Sequence, residues 1–170
     1  MEISCPVCGS NTTHKIQIER KLSGGFGISK HVILAGYACD DCDFSGDFLQ
    51  ENKEVLKMAK EELQSLVMIG ILEYFTGQHM SFAGIERALD LPQRTLTKWK
   101  YGKTKPSASA IALFKYLRTY PWLLQVADSG FDAEAAQKIH LDIAARDMMA
   151  CLPREKLGEL YSMEESGAKP

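Results

Sequence analysis

The first thing the 170-residue chain lacks is a run of eighteen apolar residues, so no segment reads as a membrane span. Its opening, MEISCPVC, has no basic-then-apolar leader pattern, and a cytoplasmic protein is the expectation. The common signatures of catalysis are missing too: no Walker loop, no nucleophile elbow, no H-E-x-x-H. No enzyme is expected. The four histidines, His14, His31, His79 and His140, are scattered and read as structural. Cys151 stands apart from the other cysteines, and no histidine-containing motif accompanies it. It reads as a small apolar residue of a helix.

One absence is local and more informative: residues 91–127 contain no aspartate or glutamate. They carry Arg94, Lys98, Lys100, Lys103, Lys105, Lys115 and Arg118, a balance of +7 in a chain whose net charge is −2. Residues 1–90 stand at −5 and residues 128–170 at −4. A basic block between two acidic ones implies a local site for a polyanion. The ordinary alternative, a solvated helix face, loses ground because the block coincides with a motif.

That motif runs from Met80 to Pro106 and reads as a helix-turn-helix. Ser81 suits an N-cap for a helix over Phe82–Leu89, and Asp90-Leu91-Pro92 turns the corner. A second helix is predicted over Gln93–Tyr101, stopped by Gly102. Ile85, Leu89, Leu91, Leu96 and Trp99 would pack the two helices together. Gln93, Arg94 and Thr97 would then reach base edges, while Lys98, Lys103 and Lys105 would meet phosphates.

The stretch resembles the Cro/repressor-type (xenobiotic-response-element) helix-turn-helix at Ser81, Ile85, Leu89, Leu91, Thr95, Leu96, Thr97, Lys98, Trp99 and Gly102. It departs at two positions. Glu86 stands where that family has a small alanine, and Asp90 replaces the turn glycine. Aspartate tolerates a left-handed backbone better than most residues.

Before this motif, Cys5-Pro-Val-Cys8 and Cys39-Asp-Asp-Cys42 form two C-x-x-C pairs, the spacing of two knuckles sharing one tetrahedral zinc. Strands are predicted over His14–Lys21 and His31–Cys39, joined by a turn at Ser23-Gly24-Gly25-Phe26-Gly27. The whole reads as a zinc ribbon whose folding depends on the metal. A cytosolic setting disfavours disulfides. A rubredoxin-like iron site uses the same four ligands. A closed four-cysteine shell leaves no position for substrate, so the Zn(2+) is expected to be structural.

Residues 51–75 read as one helix, with Val55, Ala59, Leu63, Leu66, Ile69 and Leu72 recurring at helical spacing and Thr76–His79 as a loop after it. Ser107 caps a helix to Tyr120 that turns Ala110, Ile111, Leu113, Phe114 and Leu117 inward. A short helix starts near Pro121. A further helix over Ala133–Leu152 has excess apolar surface (Ile139, Leu141, Ile143, Met148, Met149), a candidate dimer or partner contact. The tail from Met163 reads as disordered.

The fold class expected is α+β: a small N-terminal zinc ribbon of short antiparallel strands, then an all-α helix-turn-helix domain with a C-terminal helical extension. Its divisions are 1–50 for the ribbon, 51–62 for a linker helix, 63–127 for the helix-turn-helix domain and 128–170 for the extension. This order, with Cys5, Cys8, Cys39, Cys42, Trp99, Gly102, Lys103, Pro106, Ser109, Leu117, Pro121, Leu123 and Leu124, resembles the MqsA-type (YgiT-type zinc finger) antitoxins and related regulators over about residues 1–127. The resemblance implies a homodimer that binds double-stranded operator DNA, and a metal domain able to engage a toxin protein. The residues after Ala127 depart from it. Sequence-specific DNA-binding regulation is the leading expectation, and a protein-masking adaptor the second.

Overall fold

The computed structural model describes residues 3–151 as a three-stranded antiparallel sheet, β1 (Thr13–Gly25), β2 (Ile28–Cys39) and β3 (Ser45–Gly46), followed by six helices. The helices are α1 (Lys53–Gly77), α2 (Phe82–Ala88), α3 (Thr95–Lys100), α4 (Ala108–Thr119), α5 (Leu123–Asp128) and α6 (Ala133–Cys151). The α+β class is therefore as expected. Leu152 and the tail from Met163 lie outside the described residues.

The strands are longer than their β-branched cores suggested, because Phe26-Gly27 alone makes the turn. Both residues have positive φ, 54° and 79°, which is the requirement of a two-residue turn matched to strand twist. On β2, Val32 and Leu34 point inward while His31 and Ile33 point out, the period-two alternation of a sheet with one covered face. The cover is α1: Val32, Leu34 and Ala59 form one small cluster. Close approach there needs glycine. A Cβ on Gly24 would lie 2.3 Å from the Val67 side chain, and the register shifts by a bulge at this point.

Two polar devices tie the sheet to the start of α1. The buried Asn52 amide donates to the Ala35 carbonyl (2.7 Å) and accepts from the Ala35 N–H (2.9 Å), completing both backbone bonds of that residue. Asp47 accepts from the N–H groups of Glu51 (3.1 Å) and Asn52 (3.4 Å). The Asn52 side chain and these donors hold its carboxyl below the ordinary carboxylate value.

The main core is helical. Val67, Met68, Ile71, Leu72 and Phe75 of α1 pack with Ile85, Leu96, Ile111, Phe114 and Leu117, and Leu22 and Ile28 of the hairpin join its edge. At the same end of the hairpin, the Arg118 guanidinium lies 4.1 Å from the Phe26 ring and 5.1 Å from Tyr74. Helix α1 thus serves both the sheet and the helices. Its buried stripe steps through Ala59, Leu63, Val67 and Ile71, so Val55 and Leu66 fall off that line and are exposed, contrary to the apolar pattern read from sequence. Leu113 is likewise exposed, because α4 buries the single stripe Ile111, Phe114 and Leu117.

The residues read as a loop at Thr76–His79 are partly helix. Helix α1 runs to Gly77 and ends with His79 left-handed at φ 59°, while the Met80 N–H donates to the Phe75 carbonyl at 3.0 Å. Ser81 and Ser107 cap as expected: each hydroxyl accepts the N–H three residues on, at 3.1 Å.

Candidate metal centre and nucleic-acid interface

Cys5 and Cys8 sit on one tight turn and Cys39 and Cys42 on another, and the sheet brings the turns together. In the first, the Cys5 N–H donates to the Ser10 carbonyl (2.7 Å) and the Gly9 N–H returns to the Cys5 carbonyl (3.0 Å), with Gly9 at φ 75°. In the second, the Cys39 N–H donates to the Phe44 carbonyl (3.0 Å) across Asp43, at φ 54°. The two are stitched by groups that the cysteine spacing does not reveal. The Asp41 carboxylate accepts the hydroxyls of Ser10 and Thr12, the latter at 2.7 Å, and these bonds hold its carboxyl below the ordinary value.

The four sulfurs lie within 4.8 Å of one another, with Cys5–Cys42 and Cys8–Cys39 both at 3.6 Å. A tetrahedral thiolate shell with metal–sulfur bonds of about 2.3 Å places sulfurs about 3.8 Å apart, so the set fits a single ion. A disulfide needs about 2.05 Å, and all the cysteines are free. The thiols cannot ionise independently. The Cys8 backbone N–H pulls Cys5 down to about 7, against the opposing effect of burial. At Cys42 the Phe44 N–H also lowers the value, but burial and the facing thiols outweigh it and push Cys42 up to about 12. Cys8 is raised as well. A cation is what allows four such groups to be anionic together. These residues can therefore hold a metal ion.

The predicted helix-turn-helix is present as α2, a turn and α3, with one correction at the second helix. It was expected over Gln93–Tyr101 and spans Thr95–Lys100. Pro92, Gln93 and Arg94 belong to the turn, Arg94 is left-handed at φ 64°, and the Pro92 carbonyl accepts the Thr95 hydroxyl at 2.6 Å. Gln93 and Arg94 are thus exposed ahead of the helix, while Thr97 and Lys98 are exposed on it. Asp90 adopts the left-handed conformation expected of it, φ 52°. Gly102, at φ 66°, ends α3: its N–H donates to the Trp99 carbonyl (3.1 Å) and that of Lys103 to the Lys98 carbonyl (2.9 Å). Lys103 and Lys105 follow in the exposed exit loop, and Lys105 pairs with Glu61 of α1 at 2.9 Å.

Glu86, the poorest fit to the sequence pattern, has a specific task here. It is buried, and its two carboxylate oxygens accept the backbone N–H groups of Arg94 (3.0 Å) and Leu96 (2.8 Å). No side chain of α3's own sequence caps its first turn. A carboxylate from the preceding helix supplies that function and offsets the partial positive charge of the helix start. The sequence shows an acidic residue at a position that wants a small one, but not the amides it accepts.

No protein-family model, curated protein or solved structure matches the chain. Among the described residues no helix is long and apolar enough to cross a membrane.

Proposed function

We propose that the protein is a sequence-specific DNA-binding regulator that docks α3 and the turn before it in the major groove. The observation that carries this reading is the exposed row Arg94, Thr97, Lys98 and Lys103 on a helix-turn-helix, within a stretch free of acidic residues. Gln93, Arg94 and Thr97 meet base edges, while Lys98, Lys103 and Lys105 meet phosphates. A bidentate base contact discriminates by about 1–3 kcal/mol. The four-cysteine centre holds structural Zn(2+) and fixes the end of the sheet remote from the hairpin turn. Two copies would meet half-sites about 34–36 Å apart.

Selection of bound duplexes from a random pool, followed by titration of Arg94→Ala and Lys98→Ala, tests the reading. Arg94→Ala should weaken binding to the selected site far more than to random duplex. Lys98→Ala should weaken both alike. Failure of the zinc-loaded chain to enrich any sequence would dismiss the reading.

A second reading has one observation in its favour. Helix α6 has no buried residue, and Leu141, Met148 and Met149 are exposed on it. Such a face suits a dimer partner or a masked protein, the antitoxin role that the MqsA-type resemblance implies. A stoichiometric protein retained by the Arg94→Ala, Lys98→Ala double variant would favour masking as the main task.

A further inference from the structure

The acid-free stretch is not the only place where cations gather on one side. Along α1, Lys53, Lys57 and Lys60 recur at four- and three-residue spacing, all exposed, and line a groove of about 390 Å³ with Glu61 and Gln64. Lys60 and Gln64 also line a second groove of about 190 Å³, whose far wall is Lys115 of α4. The two grooves adjoin at Lys60 and Gln64, so a lysine-lined surface runs from the start of α1 to α4. Its rim reaches the proposed interface directly, because Glu61 holds Lys105 of the exit loop. Glu61 is the carboxylate of this surface, and Lys105 and then Lys57 keep it below its ordinary value. Glu54 lies beside Lys53 on the same helix, and Glu62 is paired with Lys30 of β2.

We infer that this lysine-lined surface on α1 is a second DNA contact, which grips the sugar–phosphate backbone flanking the site read by α3. The inference rests on the groove-docking reading above. Lys53 to Lys60 spans about 10 Å of helix axis, the rise of about three phosphates along one strand. The lysines present no planar donor pair and no apolar wedge to a base, so the contact is indifferent to sequence and lengthens the footprint.

The test uses the full zinc-loaded chain and the selected duplex, made once as the bare core and once with extended flanks, each titrated against salt. For Lys53→Gln/Lys57→Gln/Lys60→Gln, the slope of log affinity against log salt on flanked duplex should fall by nearly three, at about 0.9 per phosphate contact. Core-only affinity should stay unchanged. Glu61→Gln removes the opposing charge, and tighter binding to flanked duplex, by about two- to threefold, is expected. A misfolded triple variant would lose core-only affinity as well, which separates misfolding from loss of the flank contact. An unchanged salt slope in the triple variant, with wild-type binding still dependent on Lys98, overturns the second contact alone. Absence of duplex binding by the wild-type chain overturns both proposals.

Discussion

The cysteine end of the sheet and the helix-turn-helix face the same problem, which is to hold a short turn in one conformation, and they solve it with opposite resources. Near the cysteines the apolar core is small: Cys5, Cys39 and Tyr37 are buried, Tyr37 and Phe44 both pack on Phe48, and Val7 and Phe44 are exposed. Order there comes from four sulfurs aimed at one point and from Asp41 bound to two hydroxyls. At the helix-turn-helix, Leu96 is fully buried against α1 and α4 residues, and a single carboxylate, Glu86, completes the turn. A small region with little apolar surface has four cysteines placed to hold a metal ion, whereas one backed by a helix of 25 residues is completed by a cap.

Removing metal is the most severe way to break this comparison. Treatment with a strong chelator, or Cys39→Ser, should unfold the cysteine end while the helical signal in circular dichroism persists, and amide exchange should map the loss to residues 3–14 and 36–46. Structural zinc contributes on the order of 10–16 kcal/mol of apparent binding energy in isolated fingers. Simultaneous collapse of both regions would mean the helices depend on the metal too. The converse variant, Leu96→Ala, empties a fully buried site and should cost about 2–5 kcal/mol in denaturant unfolding of the helical part. Metal stoichiometry should stay unchanged.

Glu86→Ala sharpens the contrast at the level of one cap. Two backbone donors lose their partner, and a loss of about 1–3 kcal/mol is expected, with Glu86→Gln intermediate because one acceptor oxygen remains. Equal stability of Glu86→Ala and the wild type would show that water replaces the carboxylate. The smallest effect is acid sensitivity at the junction. Asp47 has a depressed folded pKa, so its contribution is present above the ordinary carboxylate value, about 4, and is lost as pH falls through the lower folded value. Asp47→Asn should lower stability slightly at neutral pH and flatten the acid limb of the melting curve below pH about 4.

Much of this was legible in the sequence where chemistry imposes spacing. The C-x-x-C pairs foretold a convergence of sulfurs because two ligands on one knuckle have few other uses. Ser81, Ser107 and Asp90 announced helix ends through the same local bonds that the structure contains. What escaped was set by partners distant in the chain. The left-handed Arg94 carries no mark of its own in the sequence, and the pattern alone starts the second helix two residues too early. Glu86 looked like a misfit until the amides it accepts were placed beside it. Asn52 gave no signal, since its partner Ala35 contributes only backbone. Val55 and Leu66 misled because an apolar residue at helical spacing is pulled inward only if the neighbouring element reaches that side.

Helix α1 is about 37 Å long at 1.5 Å per residue, and it touches the hairpin, α3 and α4 with no break between. It behaves as a stiff spindle on which both halves are mounted. The hairpin and the helix-turn-helix are therefore joined by one unbroken rod and not by a loop.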